Sequence, residues 1–165
     1  MENMKKLEEI KEEIKSNLSD YSLDFANCYD FESNEYISDA ISEFADSNTS
    51  IYYADQRKFY YENTDLCENA LLEYGYDLNE LIKDGNTLDD LICKAGAIGE
   101  YAYIQQTING ELEDVLKLIL INYIIENNIE CDIDILDNIN IYQLDYFSDL
   151  LDLIEEYTKE EEKEE

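Results

Sequence analysis

No histidine, proline or tryptophan occurs in this 165-residue chain, and its five glycines are scattered. The missing histidine removes the usual general base, the proton shuttle near neutral pH and the commonest zinc ligand. The scattered glycines form no phosphate-cradling loop. Ala95-Gly96-Ala97-Ile98-Gly99 reads instead as a small-residue stretch that lets helices approach closely. Basic residues are scarce: eleven Lys and Arg stand against 42 Asp and Glu, and Arg57-Lys58 is the only basic doublet outside the N-terminal helix. A phosphate backbone needs a basic surface, so direct nucleic-acid binding fails on sign.

The four cysteines, Cys28, Cys67, Cys93 and Cys131, lie more than twenty-five residues apart and form no CxxC pair. A zinc site or thioredoxin-like redox site is therefore not expected, and buried, reduced thiols are. The longest apolar stretch, Val115–Ile125, is interrupted by Lys117 and Asn122 and is too short to span a bilayer. The charged start has no apolar signal-peptide region. A cytoplasmic protein without membrane contact is expected.

What is present is acid on a well-supplied core. The chain is 45% hydrophobic, which separates it from disordered acidic polymers. Its length suits one domain: an acidic helical domain over 1–160 and a disordered acidic tail at 161–165. The formal net charge is −31. Residues 1–15 hold five Glu against four Lys, and 155–165 hold seven Glu against two Lys, so most of the charge belongs to the body between them. A compact chain of this length is roughly 40 Å across, and the same length of duplex DNA carries roughly 24 charges. The body matches DNA of its own size. Such charge costs stability through self-repulsion, and a use for it is expected. A halophile's acidic surface is the competing explanation, which the Ile- and Asn-rich composition argues against.

The hydrophobic pattern has a helical period almost throughout, and an all-α, single-domain helical bundle is expected. Met4, Leu7, Ile10, Ile14 and Leu18 stripe a helix over 2–18. Residues 20–34, with Tyr21, Phe25, Tyr29 and Phe31, read as an aromatic-anchored connection. A helix over 35–46 turns Ile37, Ala40, Ile41 and Phe44 inward, and a turn is expected at 47–50. Helices follow at 52–62, at 65–74 with Thr64 as cap and Gly75 as terminator, at 77–83, and from Thr87 to about Thr107. Asn109-Gly110 should break the chain before a central helix, Glu111–Asn127, apolar nearly all round. Ile129–Ile135 alternates apolar and polar residues, and one short strand or extended segment is expected there. A last helix spans about 142–160, with Leu144, Phe147, Leu150, Leu151 and Ile154 inward.

No catalytic, cofactor-binding or metal-ligating residues stand out. Close acidic pairs such as Asp89–Asp90, Glu111–Glu113 and Asp132–Asp134 are unavoidable among 42 acids, whereas enzymes use isolated carboxylates with separated pKa values. Asp84-Gly85-Asn86 lacks the spacing and terminal Glu of a calcium loop and reads as a turn. The chain is not expected to be an enzyme. Fifteen tyrosines serve either core or interface; most are expected in the core, while Tyr52, Tyr53, Tyr60 and Tyr61 cannot all face it, so some of these are expected to be exposed.

The stretch Ile41-Ser-Glu-Phe-Ala-Asp46-Ser47-Asn-Thr-Ser-Ile51-Tyr52-Tyr-Ala-Asp55, followed by Tyr61-Glu-Asn and Ala70-Leu-Leu-Glu-Tyr-Gly75, resembles a module of small uncharacterised bacteriophage proteins. The resemblance covers about a quarter of the chain and implies a phage or mobile-element origin, not an activity. In size and charge the chain is similar to the DNA-mimicking inhibitors that phages direct against host restriction and CRISPR–Cas systems. It carries no antirestriction sequence motif. The expected role is a phage-encoded anti-CRISPR or antirestriction inhibitor acting in the cytoplasm of the infected bacterial host. It would occupy the basic DNA or RNA channel of a CRISPR–Cas effector or restriction enzyme, carboxylates standing in for phosphates.

Glu35, Asp39, Glu43, Asp46 and Asp55 form the candidate mimic row, the first four because spacings of three and four align residues on a helix. Like charges so placed repel, so helix stability does not explain them. Asp89, Asp90, Glu111, Glu113 and Asp114 form a second candidate patch. The alternative is an acidic helical adaptor or chaperone for a basic phage or host protein, binding without competing with nucleic acid. The sequence leaves the oligomeric state open, a homodimer included.

Overall fold

Apolar residues recurring every three or four positions, and capping residues between them, give a chain that is 78% helical. The structure is a computed structural model that describes residues 2–28 and 35–164. Its helices are α1 (Glu2–Asn17), α2 (Asp20–Cys28), α3 (Ile37–Asn48), α4 (Tyr53–Glu62), α5 (Thr64–Glu73), α6 (Leu78–Lys83), α7 (Leu88–Gly110), α8 (Leu112–Glu126) and α9 (Ser148–Glu164), with a 3-10 helix at Ile133–Asn138. No strand occurs among the described residues, and the all-α class is as expected.

The helices group into two compact units, residues 1–41 with 107–165 and residues 42–106, the chain passing between them within α3 and α7. In the first unit α8 is the core: Val115, Leu116, Leu118, Ile119, Leu120, Ile121 and Ile124 are all buried. Burying such side chains contributes about 1.5–3 kcal/mol each, as an upper estimate. Leu7 and Ile14 of α1, Leu18 just after it, and Phe25 and Ala26 of α2 are buried too, and both helices pack on α8. Phe25 also meets Phe147 ahead of α9, ring centroids 6.3 Å apart.

The second unit has a thinner core. Cys67, Leu71 and Ala95 are buried together, with Phe59, Tyr60, Tyr76 and Ile98 packed around them. Helix α4 has no fully buried residue. The small-residue stretch of α7 works as expected: a side chain on Gly96 would collide with the Gln56 carbonyl of α4, and one on Gly99 with the Cys67 sulfur of α5.

Several local expectations are corrected. Residues 20–28 form helix α2 rather than a connection; Ser19 caps it, its Oγ accepting from Ser22 N–H at 3.3 Å. Tyr29 and Phe31 lie outside the described residues. Helix α3 starts at Ile37 rather than at Glu35, whose carbonyl instead accepts from Phe147 N–H. It continues to Asn48, Asn48 and Thr49 donating back to the Phe44 and Ala45 carbonyls. Thr64 does not cap α5; its hydroxyl donates to the Tyr60 carbonyl across the α4–α5 junction. Gly75 ends α5 with φ of 80°, as expected.

Asn109-Gly110 does not break the chain, since α7 runs through both and the turn falls at Glu111. The alternating segment forms no strand. It is extended only to Asp132, whose side chain accepts from Asp134 N–H and starts the 3-10 helix. Of its alternating apolar positions Cys131 and Ile135 are buried and Ile129 and Ile133 half-buried, without a partner strand. The β-bridge in the described chain pairs Tyr36 with Tyr146 instead. Helix α9 begins at Ser148 rather than near 142, because the Asp149 carboxylate collects the N–H groups of Asp145 and Tyr146 and fixes a turn there. It continues through Glu164.

Candidate binding surface

Asp39, Glu43 and Asp46 follow one another at spacings of four and three along α3, Asp39 in the first unit and the other two in the second, and all three are exposed. The opposite side of the helix is buried through Ile37, Ala40, Ile41, Phe44 and Ala45, so packing fixes which way the acids point. None of the three carboxylates has a hydrogen-bond or ion-pair partner among the described residues. Glu35, expected at the head of this row, precedes the helix and is half-buried. Asp55, on α4, is exposed and accepts from the Ser50 hydroxyl at 3.0 Å.

The second expected patch is divided. Asp89 and Asp90 lie in the second unit, Glu111, Glu113 and Asp114 in the first. Asp89 pairs with Arg57 at 3.2 Å. Asp90 and Thr87 cap α7 reciprocally, each backbone N–H donating to the other's side chain. Glu113 approaches Lys117 at 3.6 Å one turn on. Asp114 is half-buried in the first turn of α8.

Glu111 turns inward. Its Oε1 accepts from the hydroxyls of Ser19 at 2.7 Å and Ser22 at 2.8 Å, and its Oε2 from Ser19 N–H at 3.2 Å. Ser22 is completely buried. The carboxylate therefore serves the N-terminus of α2, where a negative charge also meets the helix dipole. Burial alone would push the Glu111 carboxyl up, but the hydrogen bonds from Ser19 and Ser22 outweigh it and hold the group below its ordinary value. Ser19, ahead of Asp20, was the available cap signal for α2, masked by the neighbouring Asn and Asp residues that made the segment resemble a loop.

Exposed apolar side chains were expected only among Tyr52, Tyr53, Tyr60 and Tyr61, of which Tyr52, Tyr53 and Tyr61 are exposed; the rest are a feature that sequence reading left undetected. Among the described residues the large exposed ones are Tyr36 and Tyr142 in the first unit and many more in the second: Ile51, Tyr52, Tyr53, Tyr61, Leu72, Ile82 and Leu88 among them. Ile51 is 81% exposed and Leu88 75%, values no core role accounts for. Half of the described tyrosines are exposed and the other half only partly buried, fewer in the core than expected. Tyr60 and Tyr61 meet edge to face, and the Tyr60 hydroxyl reaches Glu68 at 3.3 Å.

The second unit also holds an open groove of about 360 Å³ lined by Asp46, Thr49, Tyr74, Tyr76, Ala97, Ile98 and Tyr101. Tyr74 and Tyr101 meet edge to face, centroids 5.9 Å apart. Burial, Tyr101 and Glu73 push the Tyr74 phenol up, so it stays protonated and donates to Gln105 Oε1 at 2.8 Å.

Three of the cysteines are buried as expected; Cys28 is exposed, and none is in a disulfide. Burial, then the Glu100 and Glu68 carboxylates, push the Cys67 thiol up to about 11, a protonated and unreactive group. No metal-ligand cluster and no helix long and apolar enough to cross a membrane occur among the described residues. Fold and surface together define an all-α protein with unneutralised acid and exposed aromatic side chains. Comparison with protein-family models, with curated proteins and with solved structures finds no match.

Proposed function

We propose that the chain is an inhibitor of a nucleic-acid-targeting defence protein, a CRISPR–Cas effector or restriction enzyme, and blocks its basic DNA or RNA channel as an acidic mimic. The observation that carries this reading is the row Asp39, Glu43 and Asp46, exposed on α3 with carboxylates that have no partner among the described residues. Eleven basic residues cannot neutralise 42 acidic ones, so the surface as a whole offers acceptors for arginine and lysine. Negative potential would speed encounter, and exposed tyrosines would supply contact area at low entropic cost. The bacteriophage resemblance of residues 41–75 fits such a role in the cytoplasm of an infected host.

The test is nuclease activity across a panel of CRISPR–Cas effectors and restriction enzymes, with and without this protein, at low and high DNA. Inhibition of one member that fades as DNA rises is the expected outcome. A chain carrying Asp39→Lys with Glu43→Lys should then inhibit at least about tenfold less well with unchanged helicity. Equal potency would remove the α3 row from the reading.

The exposed apolar residues of the second unit favour a second reading, an adaptor or chaperone for a basic phage or host protein. Binding that persists at high salt and is indifferent to competing DNA would select it over mimicry.

A further inference from the structure

We infer that the Tyr74–Tyr101 groove of the second unit receives an arginine side chain of the basic partner, an assignment that rests on the proposed binding of a basic protein. At about 360 Å³ the groove is at the small end of ligand pockets. Its lining contains one acid, Asp46, and no base. Around it, residues 42–106 carry thirteen acidic residues against four basic ones, so a cation is favoured at the groove mouth.

The walls suit a flat cation. Tyr74 and Tyr101 meet at 64°, an arrangement that leaves faces of the edge-on ring uncovered by its neighbour. The Tyr74 ring is held in place: its hydroxyl donates to Gln105, whose Nε2 donates to Ser42 Oγ at 2.7 Å. Tyr76 already takes a cation, with Lys94 Nζ 4.7 Å from its ring centroid. Lys94 occupies that side, so an incoming guanidinium is directed to Tyr74, Tyr101 and Asp46. A guanidinium can lie against an aromatic face while donating two parallel hydrogen bonds to a carboxylate. An ammonium is a point charge and cannot do both, so the groove distinguishes arginine from lysine.

The experiment is calorimetric titration of the full chain with two capped peptides of equal charge at low salt, one alternating arginine with glycine and the other lysine with glycine. The arginine peptide should bind about tenfold tighter. Asp46→Asn should remove most of that preference, and so should Ala97→Leu, which fills the groove without changing charge. Glu80→Gln, which removes a charge from α6 outside the groove lining, should leave the preference intact. Circular dichroism of each variant checks that helicity is retained, and the two groove variants act on different helices. Equal binding of both peptides, or a preference that survives Ala97→Leu, would overturn the groove while leaving the acidic-surface reading standing. No binding of either peptide at low salt would overturn the groove together with the reading it rests on.

Discussion

Glu111 shows how a single side chain can change meaning between sequence and structure. As one of 42 acids it belonged to a candidate binding patch; in the fold it collects the Ser19 and Ser22 donors and holds the start of α2. Glu111→Gln keeps the acceptor oxygen but loses the charge, and should cost about 1 kcal/mol at neutral pH, given the partial exposure of the site. Because the folded-state pKa is lowered, wild type holds its full advantage above the ordinary glutamate value of about 4.3 and loses it as pH falls through the lowered one. Urea melts of both proteins from neutral to acidic pH should therefore converge in midpoint. A constant gap would mean that the charge does nothing there. The exposed acids of α3 were legible because helical period and burial agree on where they point. Glu111 was not, since its partners lie some ninety residues away and no local pattern announces them.

At the scale of elements, the period of three to four apolar positions located α1, α3 and α8, and Gly75 and Thr87 marked ends where backbone geometry or capping demands them. Asn109-Gly110 misled because its breaking tendency, about 1 kcal/mol for a helical Gly, is outweighed by burial of Ile104 and Ile108 in the same helix. Alternation at Ile129–Ile135 misled because the Asp132 side chain caps a 3-10 helix from Ile133, which ends the extended run halfway through the pattern. Exposure among Tyr52, Tyr53 and Tyr61 was legible from their spacing, whereas the groove and the exposed Ile51, Leu72, Ile82 and Leu88 were not, as they depend on which side chains the thin core of the second unit leaves outside. Gly96 was legible as a packing residue and gives a sharp test. Gly96→Ala places a methyl against the Gln56 carbonyl, backbone that cannot step aside as a flexible side chain would. Overpacking of this kind costs about 1–3 kcal/mol. Hydrogen exchange should show the loss concentrated in α4 and α7, while α1 and α8 keep their protection. Uniform loss over all four helices would place the strain elsewhere.

For the whole molecule the decisive quantity is a net charge of −31 carried by a folded chain. Neighbouring acids such as Asp39 and Glu43 repel at i,i+4 by about 0.2–0.5 kcal/mol a pair, and a handful of such pairs amounts to roughly 1–2 kcal/mol. Exposed pairs such as Arg57–Asp89 return little of this. Simple salt should relieve the repulsion, raising Tm by about 2–8 °C for a chain of this size. The shape of the rise separates two explanations of the acidity. The Debye length falls from about 30 Å at 0.01 M to about 3 Å at 1 M, so screening of surface repulsion is nearly complete within that range and the Tm gain should level off. A halophile's surface would continue to gain stability into multimolar salt. If Tm levels off, the charge is a standing cost to the folded state that low salt exposes, a cost that binding of the basic partner proposed above would relieve.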